Sequence, residues 1–303
     1  MTWRDYADWA KKRPLTLKLA DRLGRGKGRL RWFDRIDPPP AAPGTPDLSR
    51  WNEQELAAAW IGHATVLLRV GDLTILTDPV MSNRIGVGLG LMTGGPRRFV
   101  APALSIRKLP PIDLILVSHA HFDHLDRPTL MRLPKHVPVI TASRTSDLIR
   151  DLGFETVTEL RWGESIDVSS IVVTAQQVQH WGARTFYDRY RGFNAYLIEA
   201  GRRRILYGGD TAYHELFRSI GNVDLAIFGI SAYNPYIQAH ATPEQAWQMA
   251  DHVRADFVLP MHHSTFRLSY EPMQEPMERM LAAAGNDEKR IIIRQVGDMW
   301  KAA

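Results

Sequence analysis

The apolar positions of this chain fall into short runs punctuated by turn residues. Thr65 to Val70 and Leu73 to Leu76 flank Gly71-Asp72, which predicts two strands around a tight hairpin turn. Leu114 to Val117 is apolar at every position, the pattern of a strand buried on both faces. Ile171 to Val173, Ala195 to Ile198, Arg204 to Tyr207, Leu225 to Phe228 and Phe257 to Leu259 predict further strands. Helices fit around 144–152, 214–220, 243–253 and 273–284, the third opened by a Thr242 cap and Pro243. Alternating strands and helices predict an α/β fold. Pro38-Pro39-Pro40, Pro43, Gly44 and Pro46 can continue neither a helix nor a central strand. They divide the chain into an arm with its linker (1–47) and a main domain (48–303).

Charge sharpens that division. The 303 residues carry a formal +5, yet residues 1–36 alone hold eleven Lys/Arg against four Asp/Glu, so the rest is slightly acidic. Within the arm, Leu15, Leu19 and Leu23 follow Pro14 at helical spacing, flanked by Lys18 and Arg22, with Trp3, Tyr6 and Trp9 upstream. A basic helix with nearby aromatic residues suits an anionic membrane surface. The plainer expectation is that the leucine stripe packs on the main domain. The arm is too charged for a secretory signal, and no apolar run reaches the ~18 residues of a membrane span. A cytoplasmic protein, with peripheral contact at the inner membrane surface through residues 1–36, is the corresponding expectation.

The chain has no cysteine, which excludes a disulfide scaffold, a zinc ribbon, an iron–sulfur site and a thiol nucleophile. Chemistry must come from other groups. The densest candidates are His119-Ala120-His121-Phe122-Asp123-His124, directly after the buried run Leu114–Val117. Imidazole nitrogens and carboxylate oxygens are good ligands for borderline divalent metals, Zn²⁺ above all, with Mn²⁺ and Fe²⁺ also accommodated. Asp126-Arg127-Pro128 is expected to cap a short helix after them. Further ligand types end other strand-like stretches: His180 after Val172–Gln179, Asp210 after Leu206–Gly209, and His262 after Val258–Met261. Ligand-type residues at several strand ends match the rule that α/β sites gather at one sheet edge.

These motifs resemble the metallo-β-lactamase-fold hydrolases, within them the branch of N-acylphosphatidylethanolamine phospholipase D and ascorbate-6-phosphate lactonase. The resemblance is carried by Trp60-Ile-Gly-His63-Ala-Thr65, Leu76-Thr-Asp78-Pro79, Gly95-Pro-Arg-Arg-Phe99 and Ser118 to Asp126. Gln179-His180-Trp181, Gly208-Gly-Asp210-Thr and His262-His-Ser-Thr-Phe266 complete it. It implies a four-layer αβ/βα sandwich and a pair of divalent ions. His119, His121 and His180 would bind the first, Asp123, His124 and His262 the second, with Asp210 bridging. His263 is the alternative to His262, because the family's usual His-Trp-Gly-Thr-Phe reads His-His-Ser-Thr-Phe here. Asp78 would brace the site loops without being a ligand. The lack of cysteine argues against members that use a Cys ligand on the second metal.

Two such ions would share a water, lower its pKa towards neutrality and neutralise the oxyanion that builds up. Asp123 would accept a hydrogen bond from the nucleophile while ligating. His240 is expected at the substrate or leaving group, against the plainer reading of a capping or surface histidine. His63 and His214 are expected to orient ligands by hydrogen bonds. The substrate is not fixed by the fold. A phosphodiesterase of phospholipase D type on glycerophospholipids comes first, with a soluble lactonase or related carbonyl hydrolase as the alternative. The acidic balance of the main domain disfavours a nucleic-acid hydrolase, and a non-catalytic module would be expected to lack ligands.

Overall fold

Leu56, Ala58 and Trp60 join one hydrophobic core, and Ala57, Ala59 and Ile61, between them in sequence, join another. A strand with both alternating faces buried must lie in a sheet covered on both sides. The computed structural model, which describes residues 38–302 apart from 90, 91 and 186, shows that arrangement. The arm at 1–36, its leucine stripe and its expected membrane contact lie outside the described residues.

The strands are β1 (Leu56–Gly62), β2 (Thr65–Val70), β3 (Leu73–Thr77), β4 (Val87–Leu89), β5 (Met92–Gly94), β6 (Leu114–Val117), β7 (Val139–Ala142), β8 (Val157–Leu160), β9 (Ser165–Val168) and β10 (Ile171–Gln176). They continue as β11 (Ala195–Ala200), β12 (Arg203–Tyr207), β13 (Leu225–Gly229), β14 (Phe257–Met261) and β15 (Met299–Lys301). The α-helices are α1 (Arg127–Leu130), α2 (Asp147–Arg150), α3 (Tyr233–Tyr236), α4 (Pro243–His252) and α5 (Glu275–Ala284). One sheet runs β15-β1-β2-β3-β6-β7-β8 and the other β14-β13-β12-β11-β10-β9, with β4-β5 as a separate hairpin. Each sheet joins an antiparallel meander to a parallel part, β3-β6-β7-β8 in the first and β12-β13-β14 in the second.

The inner faces of the two sheets share a core that includes Trp60, Leu68, Ile75, Leu116, Tyr196, Ile205, Ile227 and Met261. On the outer face of the first sheet, Leu76, Ile115 and Val117 pack with Leu130 of α1 and Ile149 of α2. On the outer face of the second, Leu206, Phe228 and Val258 pack with Met249 of α4 and Met280 of α5. This is the four-layer αβ/βα sandwich. Thr242 starts α4 as expected and closes a full capping box: its hydroxyl accepts the Gln245 N–H, and the Gln245 side chain accepts the Thr242 N–H.

Several local expectations change. The helix expected at 144–152 shrinks to α2, and that at 214–220 is a 3₁₀ turn, Leu216–Ser219. The strand-like stretch Val172–Gln179 leaves the sheet at Gln176. The proline-rich segment is not a free linker. The Gly44 N–H donates to the Val296 carbonyl at 3.2 Å and the Ala101 N–H to Pro40 at 2.8 Å, so the compact unit begins at Pro38. The glycine-rich stretch 81–98 forms the β4-β5 hairpin, whose base is pinned by an Arg84–Arg97 bridge.

Candidate metal centre

β1, β3 and β6 run in one direction, as do β10, β12 and β14, and each releases a chemistry-bearing residue beyond its carboxyl end. His63 follows β1, Asp78 β3, His119 β6, His180 β10, Asp210 β12 and His262 β14. The carboxyl edge is where α/β sheets place their ligands. The backbone there is held in unusual conformations, with φ of 55° at His63, 32° at Asp78 and 65° at His262. Left-handed φ at non-glycine residues costs about 1–3 kcal/mol each and concentrates at functional sites.

Among the described residues, three overlapping clusters of donor atoms result. In the first, His119 Nε2 lies 2.8 Å and His180 Nε2 3.2 Å from His121 Nδ1. Asp210 Oδ2 is 3.8 Å from both His119 and His180 Nε2. In the second, Asp123 Oδ2 is 3.1 Å from His63 Nε2, 3.3 Å from His262 Nε2 and 3.7 Å from His124 Nε2. Asp210 Oδ2 reaches this cluster too, 3.1 Å from His124 Nε2 and 3.2 Å from His262 Nε2. One oxygen therefore touches both. The third cluster, Asp210, His240 and His262, overlaps them, with His240 Nδ1 3.8 Å from Asp210 Oδ2.

Hydrogen bonds behind the rings dictate which nitrogens face inward as bare lone pairs. His180 Nδ1–H must donate to the Ala239 carbonyl at 2.8 Å, which leaves Nε2 without a proton in the neutral ring. Asp78 acts similarly through two routes. The Ser118 hydroxyl gives its hydrogen to Asp78 Oδ2 and so can only accept from His119 Nδ1, 2.9 Å away. His124 Nδ1 sits 2.6 Å from the same carboxylate, which also receives the Tyr207 hydroxyl at 2.6 Å. His119 and His180 thus present lone pairs to His121, which has one proton at most to share between them. His124 Nε2, 3.1 Å from Asp210 Oδ2, is buried and makes no well-formed hydrogen bond. Converging lone pairs and carboxylates of this kind are satisfied by cations, and the donor set fits divalent metals with His/Asp preference.

The electrostatics agree. Burial drives the His119 and His180 rings below the usual imidazole range and His121 to about 3, so these rings are neutral donors. Burial also opposes charge on His124 and His262. The carboxylates of Asp210 and its neighbours outweigh it, holding the His124 proton well above that range and raising His262 to about 9. Burial would raise Asp123 and Asp210, but His124 and His262 keep both well below the usual carboxylate range. Without cations, the two carboxylates therefore keep protons on His124 and His262 at neutral pH. Metal uptake must displace them. Apparent affinity for Zn²⁺ is expected to rise with pH below about 9, by up to about tenfold per pH unit for each proton displaced. Titration calorimetry in buffers of different ionisation enthalpy checks this; uptake without proton release would contradict it.

A glycine makes room for Asp210. Gly209 has φ 55°, and a Cβ there would sit 2.8 Å from the Asn194 carbonyl oxygen and 2.9 Å from Ser118 Cβ. Gly209→Ala is expected to cost on the order of 1–3 kcal/mol, read from thermal unfolding, and to weaken metal binding by moving Asp210.

The remaining expected residues separate clearly. His262, not His263, faces the cluster; His263 packs on Trp60, ring centroids 4.6 Å apart, with Nδ1 near Ser264 Oγ. His240 lies at the edge of the centre, against the rings of His180 and His262. His63 Nε2 lies within hydrogen-bond distance of the Asp123 carboxylate, 3.1 Å, and also among the donor atoms of the second cluster. His214 does not orient a ligand: its Nδ1 accepts the Leu216 N–H at 3.2 Å and its ring packs on Phe217, because the chain turns away after Asp210. Asp126 sits at the start of α1, but its carboxylate caps no backbone N–H of that helix. It takes the Ser82 and Thr129 hydroxyls instead, tying the ligand loop to the segment after β3.

Sequence reasoning missed the supports. Arg184 donates to the Ala120 and Leu125 carbonyls at 3.1 and 2.8 Å and lies over the Phe122 ring, clamping the whole ligand loop. Asp188 anchors Arg184 in turn through the backbone N–H groups of 184 and 185. Tyr207 and Ser118 fix Asp78. Their common residue types carry no signal until the loops meet.

Comparison with known proteins agrees with the geometry. Residues 74–263 match the family model of the beta-lactamase superfamily domain. An uncharacterized protein of Mycobacterium tuberculosis is 32% identical over 260 residues, 81% of this chain and 69% of that protein. N-acyl-phosphatidylethanolamine-hydrolyzing phospholipase D 1 of Caenorhabditis elegans is 30% identical over 278 residues, 83% of this chain and 77% of that protein. Among solved structures, the isothiocyanate hydrolase from Delia radicum gut bacteria superposes with a TM-score of 0.66 at 18% identity, over 81% of this chain and all of that one. The metallo hydrolase Igni18 of Ignicoccus hospitalis gives 0.62 at 18% identity, over 82% and 98%. The chain therefore belongs to the beta-lactamase superfamily, as a member with the metallo-β-lactamase fold of its metal-dependent hydrolases.

Proposed function

We propose that this protein is a dinuclear metal-dependent phosphodiesterase of phospholipase D type, acting on N-acylphosphatidylethanolamine-like phospholipids. The observation that carries the hydrolase reading is the single Asp210 oxygen shared by two adjacent donor clusters. The likeness to the phospholipase of C. elegans supports the phosphodiester substrate. His119, His121, His180 and Asp210 would hold one cation, and Asp123, His124, His262 and Asp210 the other, most simply Zn²⁺. When bound, such a pair supplies a water of lowered pKa and positive charge for the oxyanion that develops at phosphorus.

The chain's own groups do the rest. Asp123, with 14% of its side chain exposed, stands where it can accept a hydrogen bond from an incoming water. His240, equally exposed and 3.8 Å from Asp210 Oδ2, would contact the phosphoryl oxygens or the departing alcohol. In the balanced reaction a water oxygen bonds to phosphorus, the bond to the leaving alkoxide breaks, and the water's proton ends on that alcohol. The basic residues 1–36 would bring the centre to an anionic lipid surface on the cytoplasmic side.

The test offers the metal-loaded protein three substrates: N-acylphosphatidylethanolamine in mixed micelles, bis-p-nitrophenyl phosphate and a sugar-phosphate lactone. Release of phosphatidic acid and N-acylethanolamine is expected. Hydrolysis of the lactone alone would overturn the phosphodiester reading in favour of a soluble lactonase. Deleting residues 1–36 is expected to lower turnover on anionic vesicles while leaving bis-p-nitrophenyl phosphate hydrolysis unchanged. Equal loss on both would contradict a role at the lipid surface.

A further inference from the structure

We infer that His63 is a protein donor to the second cation, which gives that ion one more ligand than Asp123, His124, His262 and Asp210 supply. The inference rests on the dinuclear reading above and adds a residue to it.

Three observations point the same way. The first is distance. An ion about 2.0–2.2 Å from each of its nitrogen and oxygen donors sets neighbouring donors ~3–3.5 Å apart. His63 Nε2 lies 3.1 Å from Asp123 Oδ2, closer than either His262 Nε2 at 3.3 Å or His124 Nε2 at 3.7 Å. The donor atoms of these four residues all fall within 4.8 Å of one another.

The second is how firmly the residue is aimed. Its backbone is bolted on three sides: the His63 N–H donates to Thr265 Oγ1 at 2.9 Å, and its carbonyl accepts Trp60 Nε1–H at 2.7 Å and the His262 N–H at 3.1 Å. These bonds hold φ at 55°, a conformation a β-carbon-bearing residue adopts only when its surroundings impose it. They also tie His63 directly to His262, so the two rings approach the cluster together, centroids 4.1 Å apart. Phe266 closes the other side, edge-on at 5.1 Å.

The third is burial. The His63 side chain is wholly shielded from solvent, and its Nδ1 has no hydrogen-bond partner. The ring therefore has no structural bond other than the one directed at Asp123. A histidine is explained by what its Nε2 faces.

Metal affinity alone would not separate a ligand from a hydrogen-bond partner, since loss of a supporting bond also weakens binding by ~10–100-fold. The deciding experiment is proton NMR of the Co²⁺-loaded full chain with ¹⁵N-labelled histidine. Each coordinated imidazole that keeps a ring N–H gives a strongly paramagnetically shifted resonance. His63→Ala is expected to lose one of these resonances and to bind its second Co²⁺ at least tenfold more weakly. His63→Gln, which keeps the bulk and a polar end, serves as the second variant should alanine perturb folding, and is expected to lose the same resonance. Wild-type spectra in which every shifted ring N–H survives in the folded variants would overturn the inference while leaving the dinuclear reading intact. A wild-type chain that takes up no Co²⁺ would overturn both.

Discussion

His121→Ala is expected to remove one cation and reduce hydrolysis at least ~1,000-fold, because the first cluster loses the nitrogen on which His119 and His180 converge. The fold should survive. His121 contributes no bond to either sheet, and the sandwich core lies elsewhere. The variant should therefore bind one metal per chain, measured by elemental analysis after dialysis, with a far-ultraviolet circular dichroism spectrum like that of the parent. Normal turnover in a variant with one metal would contradict the assignment of this cluster.

Asp78→Asn should be nearly as damaging although Asp78 is proposed to touch no cation. Its carboxylate receives the Ser118 N–H and hydroxyl, His124 Nδ1 and the Tyr207 hydroxyl, and through Ser118 it also fixes the tautomer of His119. An amide at this place has one accepting oxygen and an NH₂ group. With its oxygen in the Oδ1 place, the NH₂ group faces His124 Nδ1 and the Ser118 and Tyr207 hydroxyls. With its oxygen in the Oδ2 place, the NH₂ group faces the Ser118 N–H, so in either case a donor at the base of the ligand loop is left unpaired. Loss of such a supporting group costs ~10–100-fold in metal affinity, and the unsatisfied buried donor costs about 1–3 kcal/mol of stability. Competition with a chelator measures the first, and thermal unfolding of the metal-free chain the second. An unchanged affinity would show that the rings are aimed by packing alone.

These two residues also show what the sequence makes legible. His119 to His124 places four ionisable groups in six positions after an apolar strand, and no packing requirement explains that density. His180, Asp210 and His262 are individually ordinary, and become readable only through strand ends and family resemblance. The strands β2 and β6 are legible to the residue because β-branched and leucine runs end at glycine or at the ligands themselves. β1 escapes because Leu-Ala-Ala-Ala-Trp-Ile-Gly carries no period-two contrast when both faces are buried. β9 escapes for the opposite reason, being partly exposed throughout.

Residues whose roles depend on distant loops are hidden for a physical reason. His214 is four positions from Asp210, but a side chain reaches only what its backbone faces, and the chain has already turned towards Phe217. His63 is 60 residues from Asp123 in sequence, and only the closing of the sandwich brings them to 3.1 Å. Arg184 offers no pattern at all until its guanidinium finds two carbonyls on another loop.

The central claim is that two donor clusters joined through Asp210 hold a pair of divalent cations. Calorimetric titration of the chelator-stripped full chain with Zn²⁺, confirmed by elemental analysis, tests it most directly. Two ions per wild-type chain and one per His121→Ala chain are expected; no uptake by the wild type, or two ions retained by the variant, would contradict it.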